Sequence, residues 1–229
     1  MNYNLTHLDQ LLTLSLNGSD SLFWDNLVLC VTNTFAWSLV IVMLLIVIFR
    51  NNDIRESIII LVSIGLMIAV ADGICSGIVK PLVARWRPTQ DPLIMYLVDV
   101  VDGYRGGNYG FFSGHACNTF CMALFLSRLF AHRTLSVVLF IWAATTTFTR
   151  IYLGVHYVGD ILVGLTVGLL IGWLFAWLFK KVMTYVRSSK LTSEQFTATG
   201  YKKSDMQAML AVIFFNYVGV LIVSMAMGV

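Results

Sequence analysis

Charge is what this sequence has least of. Only 12% of its 229 residues are ionised, 15 Lys or Arg against 12 Asp or Glu, where a soluble domain carries about 25%. With 58% hydrophobic residues and a mean hydropathy of +0.80, that shortage excludes an ordinary soluble globule and a disordered chain. There are only three prolines, and no Pro- or Ser-rich linker separates two halves, so one domain over residues 1–229 is expected. The four cysteines, Cys30, Cys75, Cys117 and Cys121, all fall in apolar stretches with no Cys-x-x-Cys pair. They read as small buried hydrophobes, which excludes a disulfide framework and a thiolate metal site. A net charge of +3 is too small to point to nucleic acid. No Lys or Arg precedes Arg50, which argues against a cleavable signal peptide with its basic start. What is left is a polytopic membrane protein.

A membrane-crossing helix needs about 20 apolar residues. Residues 26–49 and 206–229 carry no charge, 57–79 carry only Asp72, and 161–179 are again apolar. Residues 115–130 and 134–149 are 16 each, about 24 Å as helix, which is short. They are expected to span with Arg128 and Arg133 snorkelling to one face while the other ends stop inside a polar pocket. The expected fold is an all-α membrane bundle of about six transmembrane helices. Residues 1–22, polar with a Leu-rich patch, are expected to lie along the interface. Six spans divide the cations unequally. Ten fall on one side, from Arg50 and Arg55 through Arg128 and Arg133 to the basic stretch between Lys180 and Lys203. By the positive-inside bias that side is cytoplasmic. Lys80, Arg85, Arg87, Arg105 and Arg150 then face the periplasm or exterior, and a bacterial inner or plasma membrane is the expected location.

The polar residues of that second side converge. The second span ends in Lys80-Pro-Leu-Val-Ala-Arg85-Trp-Arg87-Pro88, the third begins at Ser113-Gly114-His115, the fourth ends at Arg150, and the fifth opens with His156-x-x-x-Asp160. Lys80, Arg87 and Arg150 supply donors for an oxyanion, and Arg suits bidentate phosphate contacts. Ser113 and Gly114 at a helix N-terminus present free N–H groups to an anion. His156 and Asp160, four apart, share a helix face, so the carboxylate holds one imidazole nitrogen while the other points at the ligand. That is a nucleophile with an orienting partner, and His115 is available as general acid. No carboxylate or cysteine cluster suggests a metal, and the fixed positive charge suffices without one. No cofactor is expected.

Lys80-x6-Arg87-Pro88, Ser113-Gly114-His115 and Arg150-x5-His156-x3-Asp160, in this order and spacing, resemble the three-part signature of the phosphatidic acid phosphatase type 2 superfamily. The likeness covers residues 71–168. It implies a helical bundle with a phosphatase/haloperoxidase-like core and hydrolysis through a phosphohistidine. By this resemblance His156 is the nucleophile, Asp160 its orienting partner and His115 the acid for the leaving group. Lys80, Arg87, Ser113, Gly114 and Arg150 hold the phosphoryl oxygens. Phe112 and Thr149 depart from the Pro and Ser that the family often carries at those places, which touches loop shape but no reacting group.

A phosphate pocket opening between membrane helices suits a phosphorylated head on a lipid tail. The expected activity is an outward-facing lipid phosphatase, with undecaprenyl diphosphate as leading substrate by family analogy, followed by phosphatidic acid, phosphatidylglycerol phosphate and lipid A phosphates. A lipid phosphotransferase and a non-enzymatic transporter or scaffold are the rivals. Residues 89–112 are expected to form a lid. Arg85 is open between phosphate contact and lipid headgroups, Asp72 is expected to pair with Lys80 or an Arg of the pocket, and Gly164-x3-Gly168-x3-Gly172 is expected to permit close helix packing.

Overall fold

The computed structural model describes residues 2–186 and 193–227. Arg187 and Lys190, two of the cations expected on the cytoplasmic side, lie outside the described residues. Among these residues the chain is helical, and its β contacts are isolated pairs such as Trp86 with Tyr109. The helices are α1 (Asn2–Ser15), α2 (Leu22–Thr32), α3 (Ser38–Asn51), α4 (Ile54–Asp72), α5 (Lys80–Val83), α6 (Gly114–Phe130), α7 (Arg133–Tyr152), α8 (Val158–Val186) and α9 (Lys203–Met227). Five helical stretches are long and apolar enough to cross a membrane: Thr34–Asn51, Ile54–Val83, Arg133–Tyr152, Val158–Val186 and Lys203–Met227. α6, with 17 residues, is slightly shorter and sits at the centre against α4, α7 and α8. The chain is thus a multi-pass integral membrane protein.

The uncharged stretch 26–49 does not form one straight span. Asn33 adopts an extended backbone (φ −75°, ψ 119°) and its side chain accepts the N–H of Phe35, ending α2 and starting a 3₁₀ turn over Thr34–Trp37 that leads into α3. An Asn that caps a turn competes with the helical hydrogen-bond ladder, and hydropathy does not register it. The second span is longer than 57–79. Asp53 caps α4 by accepting the Glu56 N–H at 2.8 Å, and a π-helical stretch over Gly73–Val79 carries the chain into α5. Ala84 then turns it at φ 49°. The turn between α6 and α7 is also defined: His132 accepts the Leu135 N–H at 3.2 Å and caps α7.

α6 and α8 pack backbone to backbone. A Cβ on Gly164 would lie 2.5 Å from the Ser113 carbonyl oxygen and one on Gly172 2.7 Å from that of Cys121, while one on Gly168 would run into the Cys117 carbonyl. The three glycines and Ser113, Cys117 and Cys121 advance four residues at a time, so one stripe lies on the other. Among the helical pairs this contact matters most for the site, because α6 carries Ser113–His115 at its start and α8 carries Asp160. Large apolar residues on the outer helix faces, among them Leu39, Leu66, Leu170 and Trp173, are exposed, as a lipid-facing surface requires.

α1 does not stand apart. It crosses the N-terminal end of α8, where Thr13 Oγ1 accepts the Val158 N–H at 3.1 Å and an Asp9 oxygen accepts the Gly159 N–H at 2.8 Å. Asn17 follows with amide bonds to the carbonyls of Tyr152 at 2.7 Å and Asp99 at 3.0 Å. Leu5, Leu8, Leu11 and Leu12 remain exposed.

Candidate active site

The turn between α7 and α8 brings the third motif together. Where α7 ends, the Arg150 carbonyl accepts the N–H groups of both Val155 (3.1 Å) and His156 (3.2 Å). This folds His156 back over the end of α7. Val158 then starts α8 and puts Asp160 in its first turn, four residues from His156. His156 Nδ1 and Asp160 Oδ2 are 3.5 Å apart, at 1% and 0% side-chain exposure. Asp160 is held from three directions: Oδ2 accepts the Tyr157 N–H at 3.0 Å, Oδ1 accepts from Arg85 at 2.8 Å, and its carbonyl accepts the Ser113 N–H at 3.0 Å.

The other ring nitrogen of His156, Nε2, faces Arg87 Nη1 at 3.4 Å, and the same Nη1 donates to the Val155 carbonyl at 3.1 Å. Arg150 donates to Thr32 Oγ1 at 2.7 Å and to the Tyr104 hydroxyl at 2.9 Å. Both guanidiniums are buried, and their Nε atoms have no hydrogen-bond partner among the described residues. Lys80 reaches the first turn of α6, where a Cβ on Gly114 would lie 3.8 Å from its Nζ. Ser113 caps α6 by accepting the Ala116 N–H at 3.4 Å. His115, next in that turn, is exposed to a cavity of about 980 Å³ that Arg150 also lines. The structure therefore brings Lys80, Arg87, Ser113, Gly114, His115, Arg150, His156 and Asp160 to one end of the bundle.

Residues 58–184 match the family model of the PAP2 superfamily. The chain belongs to the PAP2 superfamily. A lipid A 4'-phosphatase of Bacteroides thetaiotaomicron is 40% identical to it over 162 residues, 70% of this chain and 72% of that protein. A lipid A 4'-phosphatase of Porphyromonas gingivalis is 34% identical over 161 residues, 70% and 68% of the two chains. The crystal structure of a transmembrane PAP2 type phosphatidylglycerolphosphate phosphatase from Bacillus subtilis shares the fold, with a TM-score of 0.60 over 78% of this chain and 88% of that one at 19% identity. The chain is a membrane-embedded PAP2 phosphatase.

Several residues of this PAP2 chain take places that its sequence did not announce. Arg85 makes no contact with His156 Nε2: it ion-pairs with Asp160 at 2.8 Å and with Asp9 at 2.7 Å. Asp72 makes no ion pair within 4 Å with Lys80 or an Arg among the described residues, and its Oδ1 accepts the Ser76 hydroxyl at 3.3 Å. Gly110 lies against the His–Asp pair, since a Cβ there would be 3.0 Å from Asp160 Oδ2 and 3.5 Å from His156 Nδ1. Tyr104 stacks near Arg150 at 5.3 Å. Gly110 and Tyr104 both belong to 89–112, the segment expected as a lid, which covers the site. It is pinned there by Asp91, which accepts the Tyr157 hydroxyl at 2.6 Å, and by Thr89, whose N–H donates to the Gly154 carbonyl at 3.1 Å.

Proposed function

We propose that this PAP2 phosphatase removes a phosphate monoester from an acylated lipid through a phosphohistidine at His156, with lipid A 4'-phosphate as the leading substrate. The observation that carries the chemistry is a buried imidazole backed by a carboxylate on one nitrogen and faced by a guanidinium on the other. Burial, then the charges of Arg87 and Arg150, outweigh Asp160 and push the His156 pKa down to about 4. The ring is thus neutral and nucleophilic at physiological pH. With Nδ1 toward Asp160, Nε2 attacks phosphorus as the bond from phosphorus to the lipid oxygen breaks. His115 gives its proton to that oxygen, then takes one from the water that cleaves the N–P bond. Lys80, Arg87, Arg150 and the N–H groups at the start of α6 receive the equatorial oxygens, and the unpartnered Nε atoms of the two arginines gain acceptors.

The substrate preference rests on the two relatives, both lipid A 4'-phosphatases. Undecaprenyl diphosphate, favoured by the sequence reading, has no counterpart among them and becomes the second reading. The cavity beside His115 and Arg150 suits either tail, for it runs between α2 and α9 past Leu29, Leu39, Phe215 and Val223. The site faces the periplasmic or exterior side, an orientation supported by the cations Arg50, Arg55, Arg128, Arg133, Lys202 and Lys203 at the other end. Phosphate release from the purified protein over lipid A, undecaprenyl diphosphate, phosphatidic acid and phosphatidylglycerol phosphate is the test. Release from lipid A at a rate well above the rest is expected; preference for undecaprenyl diphosphate would restore the second reading.

Two further outcomes follow from the site. Vanadate, which mimics the five-coordinate phosphoryl group, should inhibit, and EDTA should not, because side-chain cations supply the charge that metals supply elsewhere; loss of activity on chelation would contradict this. The pH–rate profile should show no limb from the nucleophile between about pH 5 and 7. His156 protonates only as pH falls through about 4, so the nucleophile stays neutral across that window. An acid limb near 6.5 on a substrate of known phosphate ionisation, the value of a solvated imidazole, would mean that the ring is not buried in the working enzyme.

A further inference from the structure

The ion pair Arg85–Asp160 continues outward to a residue on a different helix, and this carries an inference that rests on the phosphatase reading above. Arg85 bridges two carboxylates: Nη1 donates to Asp160 Oδ1 at 2.8 Å and Nη2 to Asp9 Oδ2 at 2.7 Å. Its guanidinium lies over the Tyr157 ring at 4.0 Å. The three charged side chains are largely out of solvent, with exposures of 16% for Asp9, 25% for Arg85 and 0% for Asp160. Asp9 is fixed in turn, because its other oxygen takes the Gly159 N–H at 2.8 Å, one residue before Asp160. Room for it depends on Gly159, where a Cβ would stand 2.7 Å from Asp9 Oδ2. Asp9 lies outside the family-matched residues 58–184, on α1.

We propose that Asp9 is a positioning residue of the reaction: through Arg85 it holds Asp160, and hence the His156 ring, in the attacking geometry, making α1 a working part of the site. A lone Arg85 could swing on its flexible stem between Asp160 and the substrate phosphate. A second carboxylate on the other terminal nitrogen fixes the orientation of the guanidinium and keeps that cation from competing for the phosphoryl group. Because Asp9 and Arg85 act through Asp160, their loss shows in the chemical step and not in substrate binding.

The test is a mutant cycle on the purified full-length enzyme with the best substrate of the lipid panel. Asp9→Asn preserves shape and the acceptor for Gly159 while removing the charge, and it should lower kcat about tenfold with KM held within about twofold. Arg85→Met should lower kcat further. The double variant should match Arg85→Met within about twofold, since a residue that acts through Arg85 has nothing left to act on. Thr13→Val removes the neighbouring cap of α8 at Val158 and should lower thermal stability while leaving kcat unchanged. An Asp9→Asn enzyme with wild-type kcat, a rise in KM as the main effect, fully multiplicative losses in the double variant, or an equal kcat loss in Thr13→Val would each overturn the assignment. Wild-type turnover and its loss in His156→Ala, run alongside, show separately whether the phosphatase reading holds.

Discussion

His156→Ala is expected to reduce lipid-phosphate hydrolysis by about 10⁴-fold or more, to the level set by binding and charge alone. The loss falls on kcat, since the cations proposed to bind phosphate remain. The fold should survive, because the imidazole makes few contacts that hold it: Nδ1 lies 3.5 Å from Asp160 Oδ2, and Nε2 meets only Arg87 at 3.4 Å. Its backbone N–H, which closes the turn onto Arg150, is untouched. Chromatographic behaviour and thermal stability should therefore stay near wild type. Quenched turnover of the wild-type enzyme should trap an acid-labile, base-stable phosphoryl group that the variant lacks. Hydrolysis retained by His156→Ala above background would remove His156 as the nucleophile.

The second large effect is structural. Gly168→Val is expected to destabilise the bundle by about 3 kcal/mol, because the added branches meet the backbone of Cys117 on α6, which cannot swing aside as a side chain can. Gly164→Ala strikes nearer the chemistry. Its methyl group would sit 2.5 Å from the Ser113 carbonyl, and Ser113 is the residue whose N–H holds the Asp160 carbonyl at 3.0 Å. That variant should lose activity along with stability. Gly65→Ala is the control: nothing lies within 4 Å of its added Cβ, so the better helix former should leave stability unchanged or raise it slightly. Thermal melting in detergent, with turnover on the same samples, reads all three. Equal melting temperatures for Gly65→Ala and Gly168→Val would refute close packing of α6 on α8.

The residues that the structure gathers at one end of the bundle could be found in the sequence because each motif is local. His156 and Asp160 share a helix turn, Ser113 precedes the helix it caps, and Lys80 and Arg87 flank one turn of chain. The packing of Gly164, Gly168 and Gly172 was legible for the same reason, since their four-residue period defines a face before any partner is known. What could not be read were partners far apart in sequence. Asp9 reaches Arg85 across 76 positions, and Thr32 reaches Arg150 across 118. No local pattern marks either pair, and Asp9 sits in a polar N-terminal stretch that resembled an interface segment. The bend at Asn33 was hidden for a different reason: a single uncharged cap leaves hydropathy almost unchanged while diverting the backbone. Asp72 misled because an acid two turns from a lysine suggests a pair, whereas it takes the hydroxyl of Ser76 one turn away.

The length of α6 sets how deep the chemistry lies. Its 17 residues measure about 25 Å, some 5 Å less than the hydrocarbon core of a bilayer. If Arg128 near its far end snorkels to headgroup level, the turn bearing Ser113, Gly114 and His115 would end about 5 Å below the opposite boundary of the hydrocarbon core. A phosphate group entering sideways from the leaflet would then meet its cations at roughly the level where lipid headgroups already ride. The substrate need not be lifted into water to be cut, so no energy is spent extracting its acyl chains. Turnover should consequently respond to bilayer thickness, a property of the host membrane and not of the protein alone.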